Sequence, residues 1–210
     1  MQQMGYDAVT IGDREFLLGF TRFTKMADDS GPAILLSNIK NADHNENRSL
    51  GPDFFIKEFN NIKVGVFALI HRKILKKGKH KTEKLKAEDV FLTAKRVVST
   101  LKEKKCSIIV LLAQMEPFLV KKLTQEIPSI TVAVLGYHPG LRTSYRMINN
   151  TVFIQPGIKG KHLGQLNIEV NSEGSLVCFK GRSIPLDDKI KKDQAVLDAI
   201  DTFTDTFEED

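Results

Sequence analysis

Two cysteines in 210 residues leave no room for a disulfide framework or a zinc knuckle. Cys106 opens the apolar run SIIVLLA and Cys178 sits in the strand-like SLVCF. Each reads as a small buried apolar side chain and not as a ligand. No apolar run approaches the roughly 18 residues of a membrane-spanning segment. The N-terminus, MQQMGYDAV, lacks a basic stretch followed by an apolar one, so no signal peptide is visible and the chain as given reads as cytoplasmic. Internal repeats and low-complexity linkers are missing too. With 41% hydrophobic and 27% charged residues, disorder is not indicated, and a chain of this length can bury a substantial core and most simply forms one domain.

What is present is an uneven charge. The balance of 31 basic and 26 acidic side chains gives +5. Residues 71–86 concentrate Arg72, Lys73, Lys76, Lys77, Lys79, Lys81, Lys84 and Lys86, whereas residues 198–210 are acidic. The basic run reads either as a solvated, mobile loop or as a patch attracting nucleotides, nucleic acid or acidic lipid. It has no interleaved aromatics for base stacking, so nucleic acid is not an expected partner.

Apolar periodicity predicts strands at 8–11, 33–38, 54–59, 64–70, 108–113, 131–135, 151–155, 163–170 and 176–180. Near-continuous runs such as IIVLLA and TVAVL fit parallel strands covered on both faces. Asn60-Asn61 and Ser172-Glu173-Gly174 read as hairpin turns, and PGIKGKHLG as a further turn and not a phosphate loop. Helices are expected at 87–104, at 117–126 with Pro117 in the first turn, and at 189–207. Residues 106–135 are then a strand–helix–strand unit within a mixed α/β domain, parallel first and antiparallel later.

Three strand-end segments carry polar residues suited to chemistry: GDREF at 12–16, ending a short apolar run; LLAQMEP at 111–117; and LGYHPG at 135–140. In this order they resemble the Gly-Asn-His-Glu, Leu-Ser-His and Gly-Gly-His-x-His segments of calcineurin-like metallophosphoesterases, particularly the 5′-nucleotidase branch. NNTVFIQPGIKGKHLG resembles that family's following hairpin through Gln155, Gly157, Gly160 and Gly164, and SNIKN with FFIKEFNNIKVGVFALI resembles the intervening stretch. The resemblance runs over residues 4–182.

That resemblance implies a metallophosphoesterase-like layered sandwich of mixed β-sheets flanked by helices, lacking the first βαβ unit or units. It implies a partial domain at 1–185, followed at 186–210 by an amphipathic helix or linker with an acidic tail. The family's chemistry is metal-dependent phosphoester hydrolysis, of nucleotides in this branch. Two cations clamp the phosphate and activate water. By position, Asp13, Gln114 and His138 are the candidate metal ligands, for zinc, manganese or cobalt in a full-length parent. Arg14 stands at the catalytic His position and cannot act as a general acid, but it could hold an anion by bidentate hydrogen bonds. Gln114 replaces an imidazole, Leu17 an orienting carboxylate and Gly140 a further ligand. The family's Asp-x-His and Gly-Asp segments precede the matched region.

The expectation is therefore a degenerate phosphoesterase with weak or lost activity. The alternative is a non-catalytic module holding a nucleotide or other phosphorylated small molecule through Arg14 and the 71–86 stretch. Asp13-Arg14-Glu15 also reads as a plain strand-to-loop turn, and His44, His71, His80 and His162 as surface residues. A homo-oligomer or a preceding segment would cover the open sheet edge. Family members are often periplasmic or secreted, so a full-length parent is a candidate for export.

Overall fold

The computed structural model describes residues 2–12, 15, 31–41, 50–77, 85–137 and 144–208. After a short 3-10 turn at Gln2–Met4 come β1 (Ala8–Val9), β2 (Ala33–Ile34), β3 (Ile39–Asn41), β4 (Phe54–Phe59) and β5 (Ile62–Ile70). Then follow α1 (Arg72–Lys77), β6 (Leu85–Ala87), α2 (Val90–Glu103), β7 (Ile108–Gln114), α3 (Pro117–Glu126) and β8 (Val132–Leu135). The chain continues through β9 (Ser144–Ile148), β10 (Thr151–Gln155), β11 (His162–Val170), β12 (Leu176–Pro185) and α4 (Gln194–Glu208).

A six-stranded sheet in the order β4-β5-β7-β8-β10-β9 is the centre of the molecule. Its inner four strands run parallel, and β4 and β9 close it on either side as antiparallel edges. Three two-stranded pieces accompany it: β1–β2 parallel, β3–β6 and β11–β12 antiparallel. This is the mixed α/β arrangement expected from the alternating periodicity.

Local sequence explains the main turns and caps. Asn60 and Asn61 both have positive φ, 48° and 66°, the two-residue turn whose twist suits a β4–β5 hairpin. Helix α2 starts because the Asp89 carboxylate accepts from the N–H groups of Phe91 and Leu92, each at 2.9 Å. Its buried stripe of Val90, Ala94, Val97, Val98 and Leu101 lies against Phe67, Leu69, Ile109 and Leu111 of the sheet, beside Val120 and Leu123 of α3. Gly65 permits that approach: a Cβ there would stand 2.7 Å from Leu101 Cδ2. At the ends of β5 a smaller cluster joins Ile11, Leu36, Ile39, Ile70 and Ile74.

Several expectations need correction. The basic stretch 71–86 is not simply a loop. Residues 72–77 form α1 and 85–87 form β6, because Ile74 and Leu85 anchor the smaller cluster. Strands β3, β6 and β9 were not expected; they are short or half-exposed and carry little apolar signal. Strand β12 runs on through Gly181 to Pro185, since the polar GRS segment still pairs with β11. Cys106 is buried, but Cys178 is exposed, facing Glu169 across a two-stranded sheet. The connection 156–161 carries the chain from the central sheet to β11 and is not a hairpin turn. His71 is also not a surface residue; its side chain is 18% exposed.

Candidate functional site

Parallel α/β sheets collect functional groups at the carboxyl ends of their strands. Here β5 ends at Ile70, β7 at Gln114 and β8 at Leu135. The ends are tied together by main-chain bonds from His71 N to Gln114 O at 3.0 Å and from Gly136 N to Ala113 O at 2.9 Å. The half-buried Gln114 carboxamide lies across two glycines. A Cβ on Gly136 would stand 2.5 Å from its Nε2, and one on Gly12 3.9 Å from its Cδ and Nε2. The N–H of Gly12 donates to Glu15 Oε2 at 2.8 Å.

The three segments singled out in the sequence thus converge. Gly12, Gln114 and Gly136 meet at one end of the sheet. Asp13, Arg14 and His138 lie outside the described residues, as do Leu17, Gly140, His44 and His80. Their chain neighbours Gly12 and Tyr137 are described.

Beside this point the sequence reading missed a pair. His71 directly follows β5, and Glu116 follows β7 by two residues. His71 Nδ1 is 3.6 Å from Glu116 Oε2, an ion-pair distance and not a hydrogen bond, and both atoms are buried without a hydrogen-bond partner among the described residues. A cavity of about 360 Å³ adjoins His71, lined also by Arg72, Glu88, Asp89, Phe91 and Leu119. The usable signal was position: a histidine and a glutamate just past the ends of adjacent parallel strands.

Comparison with solved structures identifies the fold. The chain aligns with the sulfate thiohydrolase SoxB of Thermus thermophilus at a TM-score of 0.82 and 17% identity, over 94% of this chain and 36% of that one. A 5′-nucleotidase precursor, also from Thermus thermophilus, aligns at 0.79 and 17% identity, over 100% and 45%. The calcineurin-like phosphoesterase YfkN of Bacillus subtilis aligns at 0.81 and 20% identity, over 98% and 72%. The fold is that of the 5′-nucleotidase-like metallophosphoesterases, a layered α/β sandwich of mixed sheets. The chain spans less than half the length of the first two of these structures. No protein-family model and no curated protein sequence matches it.

Metallophosphoesterases of this fold normally use divalent metals. Among the described residues no three His, Cys, Asp or Glu side chains come together to hold a cation. Gln114 offers a neutral amide oxygen, a weak donor for zinc. The described residues by themselves therefore do not make up a two-cation centre. Also among the described residues, no helix is long and apolar enough to cross a membrane.

Proposed function

We propose that this chain is a degenerate 5′-nucleotidase-like phosphoesterase domain, with metal-dependent hydrolysis of phosphoesters weak or lost. The observation that carries this reading is the Gln114 carboxamide lying over Gly136 and Gly12, at the strand ends where the fold's chemistry would be concentrated. An amide there can touch a hard cation, yet it is a poor substitute for imidazole. Arg14 adds to this: it stays charged and cannot deliver a proton to a leaving group. Asp13 and His138 remain the candidate partners of Gln114 for one weakly held cation. Residues 1–185 would form the partial catalytic domain, and 186–210 a helical linker with an acidic tail.

The test is direct. Purified protein with manganese, zinc or cobalt is expected to show no turnover of nucleoside monophosphates or p-nitrophenyl phosphate above buffer. Robust metal-dependent turnover would overturn the reading.

A second reading is a module that holds a nucleotide or other phosphorylated small molecule without turning it over. The position of α1 favours it: Arg72 and Lys73 are exposed just beyond the end of β5, beside Gln114 in the sheet. Binding of a nucleoside monophosphate should then weaken as salt rises from low to physiological ionic strength, and salt-insensitive binding would count against it.

A further inference from the structure

The β11–β12 hairpin stands apart from the central sheet. Among the described residues these strands pair only with each other. The hairpin is seated by its face: the ring of Tyr145 on β9 lies against Gly181 and its hydroxyl against Gly164, and Ser183 Oγ donates to Pro156 O at 3.3 Å. Each strand therefore has an outer edge whose N–H and C=O groups meet no other described strand.

The two edges differ in how they are protected. Natural sheets blunt an exposed edge with cations, proline or a bulge. Strand β12, LVCFKGRSIP, carries Lys180, Arg182 and Pro185. Strand β11, HLGQLNIEV, has nine residues, a single carboxylate at Glu169, no Lys, Arg or Pro, and an irregularity only at Glu169/Val170. Its side chains at Leu166 and Ile168 are only half-buried. An edge this long and this little guarded is a template for strand addition.

Strand β11 is also complementary to itself. Antiparallel pairing of two copies about a two-fold axis at Leu166 sets Leu163 opposite Glu169 and Gln165 opposite Asn167. No like charges face each other, and the amide pair can hydrogen-bond across the junction. An isologous contact of this kind closes on itself and stops at two copies. We propose that β11 is a homodimerisation edge, with two hairpins joining β11 to β11 into one four-stranded antiparallel sheet.

Light scattering over a concentration series is expected to give twice the 23.6 kDa mass of one chain. The register is tested by cysteine pairing in a Cys178→Ser background. Copies carrying Gln165→Cys should cross-link under mild oxidation with copies carrying Asn167→Cys, and far less with themselves, because only the mixed pair is directly opposed. Both positions lie on the polar side of the hairpin, so circular dichroism melts should match the parent and exclude misfolding. A monomer at all concentrations overturns the proposal. So does a dimer in which the mixed pair cross-links no better than either variant alone.

Discussion

The side chain of Asn38 stands in for a β-strand alongside Ile70. Ile70 N–H donates to Asn38 Oδ1 at 2.9 Å, and Asn38 Nδ2 donates back to Ile70 O at 2.9 Å. Strand β4 pairs with β5 only as far as Phe67, so the last residues of β5 would otherwise present an open ladder. Ser37 continues the same substitution, its Oγ accepting from Ala68 N at 3.0 Å. Asn38 then reaches the other way: its main-chain oxygen accepts from Glu88 N and its Nδ2 also faces Glu88 O. One buried carboxamide thus joins β5 to the entrance of α2 and fixes the strand end that leads to His71.

Asn38→Ala should therefore be costly. It leaves a buried main-chain donor and acceptor of Ile70 unpaired, a loss of about 2–4 kcal/mol. Asn38→Asp should cost at least as much, because it keeps the acceptor but removes the donor and buries a carboxylate. Urea unfolding followed by circular dichroism checks both. A midpoint within error of the parent for Asn38→Ala would show that the clasp is not what holds the end of β5.

Tyr145 offers a case of opposite sign. Its hydroxyl is buried and has no hydrogen-bond partner among the described residues, and burial pushes its pKa above the ordinary tyrosine value. Tyr145→Phe removes an unsatisfied polar atom while keeping the ring, so stability should hold or rise by about 1 kcal/mol. Gly181→Ala should do the reverse, because a Cβ there would overlap the Tyr145 ring. Overpacking of this kind costs about 1–3 kcal/mol. In thermal melts Gly181→Ala should fall below the parent and Tyr145→Phe should not.

Much of this architecture was readable from sequence wherever apolar periodicity was strong. Strands 54–59 and 151–155 and helix α3 have the predicted bounds, since each sets apolar side chains against the central core, among them Phe54, Ile56, Phe153, Val120 and Leu123. The failures share a physical origin. Strand β9 is half-exposed, so its residues are not constrained to be apolar, and β3 and β6 are three residues long. The sequence showed three separate strand ends; Gln114 and Gly136 adjoin because β7 and β8 are parallel neighbours, whereas Gly12 follows β1 in a separate two-stranded sheet and is brought there by packing that no local pattern announces. The His71–Glu116 pair was not legible, because its members are 45 positions apart and only the sheet order brings them together.

The thiols should respond differently to alkylation. Cys178 is exposed and Cys106 buried, so iodoacetamide should modify Cys178 in the native protein and Cys106 only on unfolding. Native modification should still be slow. Desolvation and the neighbouring Glu169 carboxylate hold the Cys178 thiol above its ordinary pKa. A raised pKa means less thiolate at neutral pH, and thiolate is the reactive form. The rate should climb with pH beyond the range where an ordinary thiol, near about 8.5, has levelled off. Glu169→Gln removes the carboxylate, lowers the pKa and should speed the reaction at pH 8. An unchanged or slower rate in that variant would contradict the assigned cause.

The convergence at Gln114 can be measured without any ligand. Gly136→Ala places a methyl 2.5 Å from Gln114 Nε2, the movable end of a flexible side chain, so the fold should survive with Gln114 displaced. The cost should be modest, about 1–2 kcal/mol, the lower part of the range for small-to-large changes. In a Gln114→Ala background the obstructing amide is gone, and Gly136→Ala should become nearly neutral. The double-mutant cycle should then show a coupling of about 1 kcal/mol between residues 22 positions apart in sequence. The same displacement should weaken any cation held by the Gln114 oxygen, so manganese or cobalt binding should fall in Gly136→Ala if Gln114 is a ligand. Additive effects of the two substitutions would mean that the carboxamide does not lie across the end of β8. The strand ends would then no longer define a common site.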